Sequence, residues 1–391
     1  MDVHIVAGKR TPIGKFLGAF SAVSAVQLAV QVVQSLLVET QIPASDVEQV
    51  ILGNARQAGN GPNPARQVAF HSGLSPTATA YTINMACASG LKAISLGAQE
   101  IRNGNRHVLI VGGTENMSQV PFLLPEFRQG YRLNHRPLVD GMYQDGFHCP
   151  LADQLMGRTA ETLAEKYEIS RQEQEAFALQ SQKKCTQAQK ENRFTPEITP
   201  ISIRSSKSTQ QITLDEHPRS DTTLEQLQKL PAIFKEQGSV HAGNASGITD
   251  GAAALLLVSE TYRQAHGLKS LAQIDDYTEV GVDPKIMGIG PVPAVQLLLK
   301  RSGKQIHDFP LIELNEAFAA QVLACQRELH FKEEVLNVNG GSIALGHPIG
   351  ATGSRIVVTL LHEMQRTEQP LGLATLCVSG GLGVALSLRR K

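Results

Sequence analysis

Three side chains in this 391-residue sequence, Cys87, His347 and Cys377, sit in local settings suited to nucleophilic and acid–base chemistry. Cys87 lies in Ile83-Asn84-Met85-Ala86-Cys87-Ala88-Ser89-Gly90-Leu91, after an apolar strand-like run, Ala78 to Ile83, and before a helix-like run, Leu91 to Ile101. The thiol is expected at a strand-to-helix elbow whose small residues leave room for a substrate. The first N–H groups of that helix, and the positive end of its dipole, would face the sulfur and favour the thiolate. A cysteine without partners is usually a core residue. This one has candidate partners.

The stretch Asn337-Val338-Asn339-Gly340-Gly341-Ser342-Ile343-Ala344-Leu345-Gly346-His347-Pro348-Ile349-Gly350-Ala351-Thr352-Gly353 sets five glycines around one His-Pro step. Glycine permits tight backbone near a ligand, and Pro348 fixes the chain directly after the imidazole. That frame suits a presented base. In Leu376-Cys377-Val378-Ser379-Gly380-Gly381-Leu382-Gly383, a second cysteine stands at a strand tip before a glycine-rich turn. Asn315, in Asn315-Glu316-Ala317-Phe318-Ala319, follows the strand Leu311–Leu314 and could hold a water or a carbonyl there, or cap a helix.

The elements that must position these groups alternate. Residues 1–120 read as strand Val3–Ala7, helix Ala22–Val38, strand Val47–Gly53, helix Asn63–Gly73, strand Thr79–Asn84, helix Leu91–Asn103 and strand Val108–Gly113. This predicts α/β layering over a mostly parallel sheet. Residues 121–245 are irregular, with one polar helix from about Ala160 to Glu191, and a long irregular insertion of this kind is usually functional. Alternation resumes with strand Leu255–Val258, helix Pro293–Ser302, strand Leu311–Leu314, helices Glu316–Glu328 and Gly353–Gln365, and a hairpin of Thr375–Val378 with Val384–Leu388. Both halves place a small-residue elbow before a helix, which predicts a duplicated fold.

Composition narrows the function classes. Lys plus Arg and Asp plus Glu number 36 each, so the formal net charge is zero and nucleic acid is not an expected partner. Apolar residues make up 42% and charged ones 18%, as in an ordinary globular protein with two or three structural units. No apolar run approaches the roughly 18 residues of a membrane span. The start, Met1 to Ala7, reads as a strand rather than a signal peptide, and Leu388-Arg389-Arg390-Lys391 is no targeting or lipidation signal. Five cysteines, unpaired in spacing, point to a reducing compartment, with cytoplasm as the expectation. His148 and Cys149 are adjacent ligands without a spaced pair, so no metal site is expected.

From Lys9-Arg10-Thr11-Pro12 to the terminal hairpin, the chain resembles the thiolase family. Asn337–Gly353 satisfies the family's histidine motif, Asn84–Gly90 resembles the nucleophile motif, and Asn315–Phe318 the Asn-Glu-Ala-Phe motif. The resemblance implies a duplicated thiolase-type fold of two α/β halves in α-β-α-β-α layers plus an inserted loop domain. Residues 1–120 would carry the nucleophile and 121–245 would cover the coenzyme A site. Residues 246–270 would return to the first half, and 271–391 would bear the histidine and second cysteine.

It also implies an acyl-CoA C-acyltransferase. Cys87 would be acylated, His347 would activate it, and Cys377 would exchange the α-proton. His347 with a water held by Asn315 would form one oxyanion hole, and the backbone N–H groups of Cys87 and Ser379 the other. Coenzyme A would be substrate and product, touching Ser246, Arg219 and Phe234, with Met156, Met287 and Phe318 lining the acyl pocket. No tightly bound cofactor is implied. The partners would be acetyl-CoA and 3-ketoacyl-CoA, with no nucleic acid, no membrane, and a homodimer or homotetramer.

Two positions depart from the family. Short-chain members read His-Met-Gly where Leu155-Met156-Gly157 stands, which tilts the expectation away from strict acetoacetyl specificity. Ser379 replaces a glycine, at a cost of roughly 1 kcal/mol if that residue needs positive φ. A papain-type Cys/His hydrolase would leave Cys377 and Asn315 idle. A weak thiolase-like acyl-CoA binding protein would be expected to lose a reactive residue, and all four are present.

Overall fold

The computed structural model describes residues 1–204 and 209–390, so Lys391 of the terminal basic run lies outside it. The first half contains β1 (Val3–Arg10), α1 (Ala25–Thr40), β2 (Gln49–Gly53), α2 (Pro64–His71), β3 (Thr79–Ile83), α3 (Ser89–Arg102), β4 (Val108–Asn116) and, after a long excursion, β5 (Thr249–Ser259). α1 starts where Ser24 accepts from the Gln27 N–H and the Gln27 side chain returns to the Ser24 N–H, a reciprocal cap. Val26, Ala29, Val33 and Leu36 then fall on its buried face.

In the excursion, the single polar helix expected over Ala160–Glu191 is two helices, α4 (Met156–Lys166) and α5 (Arg171–Lys190). Glu168 takes φ +51 and stops the first. A Ser170–Glu173 capping box starts the second. The second half contains β6 (Ala272–Gly281), α6 (Pro291–Ser302), β7 (Leu311–Leu314), α7 (Ala319–Leu329), α8 (Ile349–Arg366), β8 (Leu371–Val378) and β9 (Leu382–Arg389).

Strand order makes the duplication visible. The sheet runs β7-β8-β9-β6-β1-β5-β4-β2-β3. In the first half β1–β5 and β5–β4 are antiparallel, while β4–β2 and β2–β3 are parallel. In the second half β6–β9 and β9–β8 are antiparallel and β8–β7 parallel. A parallel bridge from Ile312 to Leu336 stands where β3 pairs with β2. The halves join through the short contact of β1 with β6, at His4–Gln273 and Ile5–Ala272. The sheet is therefore mixed rather than mostly parallel. β8 and β9 form a hairpin, which needs no helical crossover and so runs antiparallel.

α3 and α8 pack together between the two sheet regions, where Leu91, Ile94, Ile356, Val357 and Leu360 share one core. α1 and α2 cover the outer face of the first half, and α6 and α7 that of the second. The result is the expected α-β-α-β-α layering. α8 is buried on nearly all sides, which accounts for its broadly apolar sequence. α3 and α8 approach at backbone contact: a Cβ at Gly353 would meet the Leu91 nitrogen at 2.4 Å, and one at Gly90 the Ser354 nitrogen at 2.7 Å. This crossing holds the helix after Cys87 against the helix after His347. Among the described residues, no helix is long and apolar enough to cross a membrane.

Candidate active site

At the tips of these elements lies a cavity of about 530 Å³ bordered by Cys87, His347, Cys377 and Ser379. The Cys87 elbow is built locally. Ala86 takes φ +44, a conformation non-glycine residues rarely hold, and costs of order 1 kcal/mol. The Asn84 side chain accepts from the Ala86 N–H at 2.9 Å. Ser89 Oγ accepts from the Met85 N–H at 2.9 Å and donates to the Ala86 carbonyl at 2.7 Å. α3 thus begins at Ser89, two residues before the expected Leu91.

The electrostatics of Cys87 correct the expectation of a favoured thiolate. Burial pushes the thiol up. The Arg56 guanidinium, the Ser379 N–H and the thiol's own N–H oppose this, and Glu115 adds to it. The net direction is upward, so a base must take the proton as the sulfur reacts.

His347 is 7% exposed, and its backbone N–H donates to the Gly247 carbonyl at 3.0 Å. Nδ1 lies 2.6 Å from Thr352 Oγ1, which donates to the Pro348 carbonyl at 3.0 Å. Nε2 is buried without a protein partner among the described residues. Burial, Arg355 and Arg56 all disfavour the imidazolium and bring the pKa down to about 3. A neutral imidazole results.

Cys377 is the last residue but one of β8 and is buried at 1% exposure. Burial and neighbouring Cys87 push its thiol well above the ordinary range. Asn315 does not border the cavity. It sits fully buried at the end of β7, where Oδ1 accepts from Ser342 Oγ at 2.6 Å and Nδ2 has no partner among the described residues. It is not a helix cap, because α7 starts at Ala319 behind Phe318. Next to it, buried Glu316 accepts from Ser181 Oγ at 2.7 Å, Asn337 Nδ2 at 2.8 Å and the Ile343 N–H at 3.1 Å. That carboxylate holds the glycine-rich histidine loop in place.

The remaining expected residues all border the same cavity. Arg219 is exposed, Ser246 and Phe234 are half-buried, and Met287 and Phe318 are 4% and 9% exposed. Phe234 meets Phe318 edge-on at 6.1 Å, and both pack with Met156, Met287 and Cys377. The Ser246 N–H donates to the Ala317 carbonyl at 2.9 Å, tying that loop to the Asn315 segment. Leu155 also lines the wall. Ser379 carries no strain: Gly380 and Gly381 take φ +88 and +87, and Ser379 is absent from the positive-φ set. His148 pairs with Asp153 at 3.3 Å, and no group of three or more His, Cys, Asp or Glu among the described residues is placed to hold a metal.

Sequence reasoning missed Arg56, Glu115 and Thr352. Arg56 borders the cavity three residues past β2, and a charge directly after a buried strand was its available signal. Glu115 accepts from Asn54 Nδ2 at 2.8 Å and from the N–H groups of Ala55, Arg56 and Gly350 at 3.0, 3.0 and 2.8 Å. It ties the Arg56 loop to the first turn of α8.

Residues 3–261 match the family model for the N-terminal domain of thiolase, and residues 268–390 that for its C-terminal domain. An acetyl-CoA acetyltransferase of Pseudomonas aeruginosa is 51% identical over 390 residues, covering all of this chain and 99% of that protein. A probable acetyl-CoA acyltransferase of Staphylococcus aureus is 47% identical over 384 residues, 98% of each chain. The crystal structure of the Bacillus anthracis acetyl-CoA acetyltransferase superposes with a TM-score of 0.97 at 44% identity, covering 99% of this chain and 98% of that one. Human mitochondrial 3-ketoacyl-CoA thiolase does so at 0.96 and 40%, covering 100% and 99%. Two domain matches spanning nearly the whole chain, and relatives aligned end to end, establish that the chain belongs to the thiolase family.

Proposed function

We propose that this protein is an acyl-CoA C-acyltransferase that condenses two acetyl-CoA molecules or cleaves a 3-ketoacyl-CoA with coenzyme A. The observation that carries the assignment of roles is the convergence of two thiols and a neutral imidazole on one cavity. In cleavage, His347 Nε2 takes the Cys87 proton as the sulfur attacks the 3-keto carbon. The bond between C2 and C3 breaks, Cys377 protonates the departing enolate carbon, and acetyl-CoA leaves. The thiol of coenzyme A then attacks the acyl carbon and gives its proton to the Cys377 thiolate, and Cys87 leaves as a thiolate that takes its proton back from His347. Condensation runs the same steps backwards, with Cys377 removing the α-proton.

Both stages place negative charge on oxygen. Nε2 of His347 and Nδ2 of Asn315 are buried without partners among the described residues, which suits an oxyanion site completed by a water once Nε2 has taken the Cys87 proton. The N–H groups of Cys87 and Ser379 both favour negative charge on the Cys87 sulfur, which suits a second site at the acyl-enzyme. Loss of one such donor costs about 3–4 kcal/mol in the barrier. Ser246 and Phe234 would flank the pantetheine of coenzyme A and Arg219 its phosphates, with Met156, Met287 and Phe318 around the acyl group. Residues 121–245 serve as the cover of this site, between an N-terminal part, 1–120, rejoined by 246–270, and a C-terminal part, 271–391.

Phe122, Leu124, Phe127, Leu133 and Leu138 are large exposed apolar residues in one segment, which supports a homodimer or homotetramer. Five free thiols support a reducing, cytoplasmic setting. Mass spectrometry after mixing with acetyl-CoA tests the central reading. One acetyl adduct on the Cys87 peptide is expected, and an unmodified protein overturns it.

A further inference from the structure

Beside the catalytic cavity lies a second one of about 520 Å³, and Arg56, Gly146, Met156 and Ser379 border both. Arg219, Ser246 and Phe234 border only the first, whereas Gln57, Asn84 and Gln144 border only the second. An acyl chain leading from Cys87 into this space therefore passes Met156 and Ser379.

Arg56 is the unusual part of the wall. It is 6% exposed, its Nε is buried without a partner, and its guanidinium forms no hydrogen bond or ion pair with a described residue. Glu115, the buried carboxylate that feels its charge, spends its oxygens on backbone N–H groups and on Asn54. Gly146 makes room for the group, because a Cβ there would meet Arg56 Nη2 at 2.2 Å. Asp145 is the carboxylate among the lining residues of the second cavity, and it is exposed. A buried cation without a partner is costly, and one placed where a hydrocarbon chain would run is out of keeping with a purely apolar substrate.

We propose that the second cavity is a tail subsite for acyl-CoA thioesters whose far end carries a carboxylate, with Arg56 as the counter-charge. The planar guanidinium fork matches a carboxylate with two parallel hydrogen bonds, and Ser379 borders the path to it. The inference rests on the acyltransferase reading, and it narrows the substrate class.

The test compares thiolysis of two six-carbon substrates, 3-oxohexanoyl-CoA and the mono-CoA thioester of 3-oxohexanedioic acid. The wild-type enzyme should prefer the carboxylated substrate in kcat/KM by about tenfold or more, and Arg56→Leu should cut that preference by about 100-fold. Arg56→Gln, which keeps a polar side chain, should give an intermediate loss and serves if the leucine variant does not fold. A wild-type preference for the neutral chain overturns the proposal. So does an equal loss on both substrates in the variants, which would mean that the charge serves only Cys87. Acetylation of wild-type Cys87 by acetyl-CoA involves no tail. Its failure would sink the acyltransferase reading itself, whereas acetylation without a substrate preference sinks only the subsite.

Discussion

His347 Nδ1 and Thr352 Oγ1 stand 2.6 Å apart at the start of α8. Thr352 has one hydroxyl proton and gives it to the Pro348 carbonyl. Its oxygen must then accept from the imidazole, so Nδ1 carries the ring proton and Nε2 keeps its lone pair. Burial and two guanidiniums keep the ring neutral down to about pH 3. The tautomer and the neutral ring both suit the base proposed for Cys87.

Replacing Thr352 by Val keeps the shape and removes the acceptor. Nδ1–H would be stranded in the core, and the ring would relieve this by moving its proton to Nε2. We expect kcat for acetoacetyl-CoA thiolysis to fall about 100-fold, the scale of a lost general base, with Thr352→Ser recovering most of it. A valine variant with wild-type kcat would show that the contact does not set the tautomer.

The Cys87 thiol is pushed up and His347 down, so the resting pair is thiol and imidazole. Below the thiol's pKa, the thiolate fraction rises about tenfold per pH unit. Iodoacetamide alkylation of Cys87 should accordingly climb steadily from pH 6 to pH 9, with no inflection near 6.5 from the histidine. A plateau across pH 5 to 8 would reveal a preformed thiolate–imidazolium pair and contradict the electrostatics of the site.

Cys377 is buried, and ionised Cys87 raises its thiol further, so the two do not ionise together. This suits a division of labour in which Cys377 acts only once Cys87 is acylated and neutral. Cys377→Ala should still form the acetyl adduct on Cys87 while losing condensation by about 1,000-fold or more, the scale of a lost acid–base group. Loss of the adduct as well would mean that Cys377 is needed for the first step.

The convergence of Cys87, His347 and Cys377 on one cavity was legible because its signals are local. Small residues at the Cys87 elbow, the glycine frame of His347 and the turn after Cys377 are short-range patterns, and all three mark the ends of elements. What was missed depends on distant chain. β6 carries Asp275, Asp276 and Glu279, and its half-buried pattern has no clean alternation, so only pairing with β9 and β1 makes it a strand. The stop after α4 uses Glu168 in the left-handed region, where neither glycine nor proline gives a cue. The reading of Cys87 as a favoured thiolate weighed the helix dipole alone. The opposing burial comes from tertiary packing, as does the place of Arg56 against Gly146.

Arg10 gives a stability prediction that can be separated from catalysis. This fully buried residue of β1 donates from Nε to Glu197 at 2.5 Å and from Nη1 and Nη2 to Asp215 at 2.6 and 3.0 Å. It thereby fastens the central sheet to the excursion that helps line the cavity. Arg10→Met would strand two buried carboxylates and should cost about 3–5 kcal/mol in urea unfolding. Adding Glu197→Gln and Asp215→Asn to Arg10→Met removes the stranded charges and should recover part of the deficit. A deficit that these changes leave untouched would assign the loss to packing around Phe194, over whose ring the guanidinium lies at 5.1 Å, rather than to charge.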